Sequence, residues 1–289
     1  MSADTSVLYY TNNLLSKDLL SYTLKETIRH CENDNCELIL TSHYPLSDEY
    51  EIFDLVQRET LKCDNLYNHL IKEALITGKD LKNVKHKIFV VGKMPYSYAS
   101  IFKQIVLSME KCEGENIILM EHDCLYPDSY IPSVKKALIN YGKNFSYCSF
   151  STCFLNKNGF FKMDNGSHCL SGCAGKKKTL MEVFKRKIEL AKNNTPFQFE
   201  PVIDILSPII LSEAKSKNEV IIDGHLCIDT FMKGEGILDI KHHLNADGFL
   251  MGSKYFHDHP YWGEDKKYIN MISTVPENKW NYGIANFDY

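Results

Sequence analysis

Short apolar runs alternate with helix-periodic stretches over the first ~140 residues, and this restricts the chain to a narrow class of folds. The runs are Val7–Thr11, Glu37–Thr41, Lys87–Gly92 and Glu115–Met120. Each is strand-sized and rich in β-branched or aromatic residues. Between and after them the apolar residues recur at helical spacing. Leu20, Leu24, Thr27, Ile28 and Cys31 form one stripe, with Ser16 as its N-cap. Tyr98, Ile101, Phe102, Ile105, Met109 and Cys112 form another, and Ile131, Val134, Leu138 and Tyr141 a third. The stretch from Asp48 to Ile76 also reads as mostly helical, with Leu55, Leu66, Leu70 and Ile71 as core positions. Strands joined by helices point to an α/β fold with a mostly parallel central sheet.

The second half has a different texture. Tyr147–Phe154 and Phe160–Met163 read as strands around the turn Asn156-Lys157-Asn158-Gly159. One amphipathic helix is predicted over Lys177–Lys192, and Ile237–Ile240 reads as a short strand. No internal repeat or low-complexity linker separates the halves. A single domain over 1–289 is therefore expected, with a mixed α/β second half.

Composition narrows the function. An apolar fraction of 44% and a charged fraction of 24% fit a globular chain. The 33 basic and 37 acidic residues leave a net charge of −4, so a strongly basic nucleic-acid binder is not the default. No apolar run reaches the roughly 18–20 residues of a membrane helix. The start, Met1-Ser2-Ala3-Asp4, does not read as a secretory signal. The ten cysteines contain no Cys-x-x-Cys pair and read as reduced thiols of a cytoplasmic protein.

The sharpest chemical feature is Glu121-His122-Asp123, directly after the apolar run Ile117–Met120. Ligands of open α/β sheets bind at the carboxyl ends of strands. Carboxylates placed there suit Mg²⁺ or Mn²⁺, whose shells are often shared with substrate phosphates. The plainer alternative is that these acids cap the next helix. Histidines recur later, at His242-His243 and at His257-Asp258-His259. One of them is expected to close the coordination shell. His257 and His259 would share a side if that segment were extended.

Glu121-His122-Asp123-Cys124-Leu125-Tyr126-Pro127 after a strand resembles the metal-binding signature of GT-A-fold glycosyltransferases, whose general form is Asp-x-Asp. The variant resembles a group of small nucleotide-sugar transferases frequent in phage, viral and environmental sequences. Leu8–Asn13, Tyr98–Ile105, Phe199-Glu200-Pro201 and Asp239–His242 resemble further blocks of that group.

The resemblance implies a nucleotide-binding half over about 1–125 and an acceptor-side half over about 126–289. It places Tyr10, Thr11 and the loop Thr41–Tyr44 near the base and ribose, and Lys103 and Gln104 near the nucleotide or donor sugar. It makes Asp123 a ligand of Mn²⁺ or Mg²⁺ and His242 a second one. Glu121 would act through water on the metal or touch the donor. UDP is the expected nucleotide. The acceptor would be a glycan, a glycolipid precursor or a modified, hydroxymethylated base in viral DNA.

An inverting transfer needs a base for the acceptor hydroxyl, and a carboxylate is the usual solution. Glu200 is the first candidate, with Asp204 and Asp223 next. The Gly166–Gly175 loop opens a helix, where it would hold a phosphate, cover the acceptor or simply turn the chain. Lys176, Lys177, Lys178, Lys185, Arg186 and Lys187 form a locally basic element, the expected contact surface if the acceptor is DNA. Trp262 would pack in the core or stack on a sugar. Two other classes use the same residues: a zinc-dependent hydrolase built on Glu121, Asp123 and the histidines, and a non-catalytic binding module.

Overall fold

The structure is a computed structural model. It describes residues 4–13, 15–52, 74–92, 94, 98–140, 147–148, 152–161, 170–193, 211–216, 219–222, 225–228, 236–240 and 255–272. The chain begins β1 (Thr5–Thr11), α1 (Lys17–Asn33), β2 (Glu37–Ser42), β3 (Glu51–Ile52) and β4 (His86–Val90). It continues α2 (Tyr98–Lys111), β5 (Asn116–Glu121), β6 (Cys124–Leu125), α3 (Tyr130–Asn140) and β7 (Tyr147–Cys148). Then follow β8 (Thr152–Asn156), β9 (Gly159–Phe161), a 3₁₀ turn at Leu170–Gly172, β10 (Ala174–Lys176) and α4 (Lys177–Lys192). The remaining elements are β11 (Leu211–Ser216), β12 (Glu219–Ile222), β13 (His225–Ile228), β14 (Ile237–Ile240), β15 (Asp258–His259), β16 (Gly263–Glu264) and α5 (Lys266–Ile272).

The central sheet has the order β3-β4-β2-β1-β5-β10-β7. Strands β3, β4, β2, β1 and β5 run parallel, and β10 is antiparallel to both neighbours. The chain moves one way from β1 to β2 and β4, then returns across the sheet to place β5 on the other side of β1. Crossovers between parallel strands are right-handed, so this reversal sends the connecting helices to opposite faces. The core follows. Val7, Tyr9, Leu38, Leu40, Ile118 and Met120 pack with α1 and α3. Leu8, Tyr10, Ile39, Ile117 and Leu119 pack with α2 and α4.

Local signals account for most element ends. Ser16 caps α1 by accepting a hydrogen bond from Leu19 N at 3.2 Å. Helix α4 spans the predicted Lys177–Lys192. Phe154 and Phe161 face each other across β8 and β9, closing on the Lys157-Asn158 turn. Among the described residues, Cys31, Cys36, Cys112, Cys124, Cys153 and Cys173 are buried thiols outside any disulfide.

Three expectations change. The predicted helical stretch after Asp48 contains an edge strand, because Glu51 and Ile52 pair in parallel with Phe89 and Val90; that partner is distant in sequence, so local periodicity does not report it. Leu55, Leu66, Leu70 and Ile71 lie outside the described residues. The run expected as one strand over Tyr147–Phe154 serves two sheets, with Tyr147–Cys148 in the central one and Thr152–Asn156 in the second. That second sheet has the order β6-β14-β8-β9.

The Gly166–Gly175 segment is the third. Leu170–Gly175 is buried, and Ala174 and Gly175 belong to β10, paired with Ile118 and Ile117. Helix α4 thus starts at the Asn116 end of β5, where Lys177 N donates to Glu115 O at 2.9 Å. A five-residue step along a strand is about 17 Å, so this helix start is remote from Glu121. Gly166–Cys169 lie outside the described residues.

At the same lower edge, β1 and the segment before β5 touch closely. A Cβ added at Gly114 would lie 2.6 Å from both Ser6 N and Ser6 Oγ, and Gly114 N donates to Ser6 Oγ at 2.9 Å. Gly114→Ala is expected to destabilise the fold by about 1–3 kcal/mol, the usual cost of overpacking against backbone. Urea unfolding measures it, and an unchanged midpoint would refute this contact.

Candidate functional site

The carboxyl ends of β1 and β5 meet at the point where the strand order reverses. Tyr10 and Glu121 are register partners across these strands. Tyr10 OH donates to Glu121 Oε1 at 2.7 Å. Burial, and then the Glu121 charge, push the Tyr10 phenol well above its ordinary value, so it stays a donor. Glu121 N donates to Tyr126 OH at 2.8 Å, and Tyr126 OH donates on to Ser171 O at 2.9 Å. Two buried phenols therefore fix Glu121, one by its carboxylate and one by its backbone.

The next residues carry the chain from the central sheet into the second one. Thr23 Oγ1 donates to His122 O at 2.7 Å. Ile240 N donates to Asp123 O at 2.9 Å, beside the pairing of Asp239 with Cys124. The loop is thus held by α1 on one side and by the end of β14 on the other. Glu121 and Asp123 are half-buried and Cys124 is buried; one ligand atom from each lies within 4.8 Å of the others. Carboxylate oxygens at this spacing fit a divalent cation. This is the one such group found among the described residues.

The neighbouring loops are braced. Thr11 O accepts from Gln104 Nε2 at 3.1 Å and from His43 N at 3.2 Å. Asn13 has φ +62°, a region asparagine tolerates, and its side chain bonds Tyr44 N and Tyr44 O, both at 3.1 Å. Thr11, Thr41, Tyr44 and Gln104 are all buried. Thr41 bonds Ser108 inside the sheet–helix interface rather than facing the loop edge. It braces α2, and no ligand-facing surface remains on its side chain. Lys103 is exposed on α2, next to the Gln104 that reaches Thr11.

Among the described residues, other expected contributors are engaged elsewhere. The segment holding His257 and His259 bends instead of running straight. The His257 side chain is 74% exposed and pairs with Asp265 at 2.6 Å. His259 is buried, and its Nδ1 accepts from Tyr261 N at 3.1 Å and Trp262 N at 3.2 Å. Trp262 packs against the core, with Nε1 donating to Gly236 O at 3.0 Å. Much of the basic element has local partners: Lys176 bonds Asn116, Lys177 bonds Cys112 O, Lys185 pairs with Glu110, Arg186 pairs with Glu189, and Lys187 is buried over the Phe102 ring, while Lys178 is exposed. Glu200, Asp204, Asp223, His242 and His243 lie outside the described residues.

Cys124, Tyr126 and Ser171 were not singled out from sequence. The first two sit inside the motif itself, so adjacency to Asp123 was the available signal. Ser171 had none.

His30 supports the motif from behind. It is buried on α1, and its Nε2 lies 3.1 Å from Tyr126 O. Burial, then the Arg29 charge, hold its imidazole below the ordinary value. The unfolded chain therefore takes up this proton first. The stabilisation is complete above the unfolded value near 6.5 and is lost as pH falls from there towards the folded value, at up to about 1.4 kcal/mol per pH unit. The melting temperature is expected to fall as pH drops below about 7, and less steeply in His30→Gln. Equal slopes in the two proteins would assign the acid sensitivity elsewhere.

No described protein family matches the sequence, and no curated protein matches it. Among solved structures, residues 1–349 of Staphylococcus aureus TarS in complex with UDP-GlcNAc align with 83% of this chain at 12% identity and a TM-score of 0.42. Glucosyl-3-phosphoglycerate synthase from Mycobacterium tuberculosis, in complex with Mn²⁺, UDP and glucosyl-3-phosphoglycerate, aligns with 52% at 11% identity and a TM-score of 0.31. The chain spans 59% of the first structure and 44% of the second. The class rests on the molecule itself: a mixed α/β protein with a largely parallel sheet flanked by helices and an acidic loop at its switch point. Among the described residues, no helix is long and apolar enough to cross a membrane.

Proposed function

We propose that the chain is a metal-dependent glycosyltransferase of the GT-A type, moving a sugar from a nucleoside-diphosphate sugar to a hydroxyl acceptor. The observation that carries this reading is the Glu121–Asp123 pair, braced at the carboxyl ends of β1 and β5. Ligands of α/β sheets gather at such a point. The motif's resemblance to the Asp-x-Asp signature adds to it.

Asp123 and Glu121 hold a divalent cation, Mn²⁺ or Mg²⁺. When bound, the cation stabilises negative charge growing on the leaving diphosphate. Tyr10 keeps the Glu121 carboxylate turned into the site, and Tyr126 holds its backbone. Thr11 and Gln104 fix the loop against which a nucleotide would lie, with Lys103 at its rim. His242 is two residues beyond Ile240, whose N–H bonds Asp123 O. It is the second ligand of the cation in this reading, as the motif's resemblance implies. Glu200 is the acceptor base, with Asp204 and Asp223 as the next carboxylates. UDP is the nucleotide, and the acceptor is a glycan, a glycolipid precursor or a hydroxymethylated DNA base. The chain works in the cytoplasm, that of the host if it is viral.

Thermal melting with UDP, with and without Mn²⁺, tests the reading. Saturation a hundredfold above Kd contributes about 2.7 kcal/mol, a shift of several degrees, and it should require the metal. No stabilisation by nucleotide under any metal condition would overturn the proposal. The Cys124 thiol beside the carboxylates favours a second reading, a zinc-dependent hydrolase. Zinc retained through purification, without nucleotide affinity, is its signature.

A further inference from the structure

We propose that Cys124 is a third donor of the Glu121–Asp123 centre, and that its thiolate biases the centre towards thiophilic divalent ions over Mn²⁺ and Mg²⁺. This rests on the reading of the two carboxylates as the metal-holding pair. It adds a property that carboxylates alone do not confer.

The geometry is specific. Cys124 Sγ lies 3.7 Å from Asp123 Oδ1, and one donor atom from each of Glu121, Asp123 and Cys124 falls within 4.8 Å of the other two. Cys124 is 1% exposed, whereas the carboxylates are half-buried, so the thiol forms the floor of the group and the oxygens its open side. None of the three backbones is loose. Glu121 is tied to Tyr10 and Tyr126, Asp123 O to Ile240 N, and Cys124 pairs with Asp239 in the second sheet. A rigid frame presenting two oxygens and one sulfur is preorganised for an ion that accepts both.

Carboxylate oxygens are hard donors and suit Mg²⁺ and Mn²⁺. A thiolate is soft, and Zn²⁺ and Co²⁺ stand above Mn²⁺ in affinity for mixed sites. A thiol must lose its proton to ligate. Binding therefore breaks the Cys124 S–H bond, forms a metal–sulfur bond and releases one proton to solvent. The ion keeps its charge state, so no oxidant or reductant enters.

Cobalt reports the bond directly, because thiolate ligation adds a charge-transfer absorption in the near ultraviolet that carboxylate ligation lacks. The full chain is titrated with Co²⁺ alone, beside Cys124→Ser, Cys124→Ala and Asp123→Ala, each checked by melting. The parent should show the band and release one proton per cobalt, measured by calorimetry in two buffers. Both Cys124 variants should lose the band and bind cobalt at least about tenfold more weakly, while keeping binding that depends on Asp123. A band that survives both Cys124 variants belongs to another thiol and overturns the proposal. Cobalt binding without a band, abolished by Asp123→Ala, leaves the carboxylate centre standing and overturns the thiol's role alone. No binding that depends on Asp123 overturns both.

Discussion

Asp123→Ala should lower sugar transfer by about 10³-fold or more, the scale seen when a comparable electrostatic stabiliser is removed. The side chain is half-buried at a loop and contributes little packing, while the bond that anchors the loop runs from Ile240 N to the Asp123 backbone carbonyl. Alanine keeps that carbonyl. Folding should survive, with a melting temperature close to the parent's in the absence of metal and nucleotide. Turnover of a UDP-sugar and the apo melting curve, measured on one preparation, separate the two effects. Transfer within about tenfold of the parent would remove Asp123 from the centre, and a collapsed melting curve would make it a structural residue.

Glu200→Gln should lower turnover by about 10²–10⁴-fold with donor affinity nearly unchanged, as expected for loss of a general base. Glutamine preserves the shape of the side chain but cannot take the acceptor proton. The lost charge is not part of the proposed metal shell, so UDP-sugar binding should not weaken. A parallel loss of donor binding would move Glu200 to the donor sugar. Full activity would return it to the surface, leaving Asp204 and Asp223 to be tested in turn. The anomeric configuration of the product, read by NMR, comes first: retention removes the need for such a base.

Much of the first half is legible because its signals are local. Ser16 sits at the start of α1, the stripe from Phe102 to Cys112 lines one face of α2, and Ile117–Met120 is a buried run ending at the acidic triplet. Each depends on residues within a few turns or one strand length of each other. The misreadings share the opposite property. Glu51–Ile52 looked helical because its partner is β4. Ala174 and Gly175 read as loop because alanine and glycine carry little strand signal, yet Ala174–Lys176 inserts between β5 and β7 as an antiparallel member of the sheet. His257 and His259 obey period two only in an extended chain, and the segment bends.

The same division runs through the site. Hydrophobic periodicity and adjacency, both properties of neighbouring residues, suffice to put two carboxylates and an imidazole at the end of a buried strand in an α/β chain. Which groups face them depends on contacts between segments distant in the chain. Tyr10 meets Glu121 across 111 positions, and Tyr126 reaches Ser171 across 45. Thr41, placed near the nucleotide by the resemblance, lies within β2 and is turned inwards to Ser108 by the packing of α2. Cys124 adjoins Asp123 in sequence, but its backbone there is fixed by the pairing of β6 with β14 in the second sheet. Side-chain partners at such separations are set by strand order and register, and these follow from burying two faces of one sheet at once.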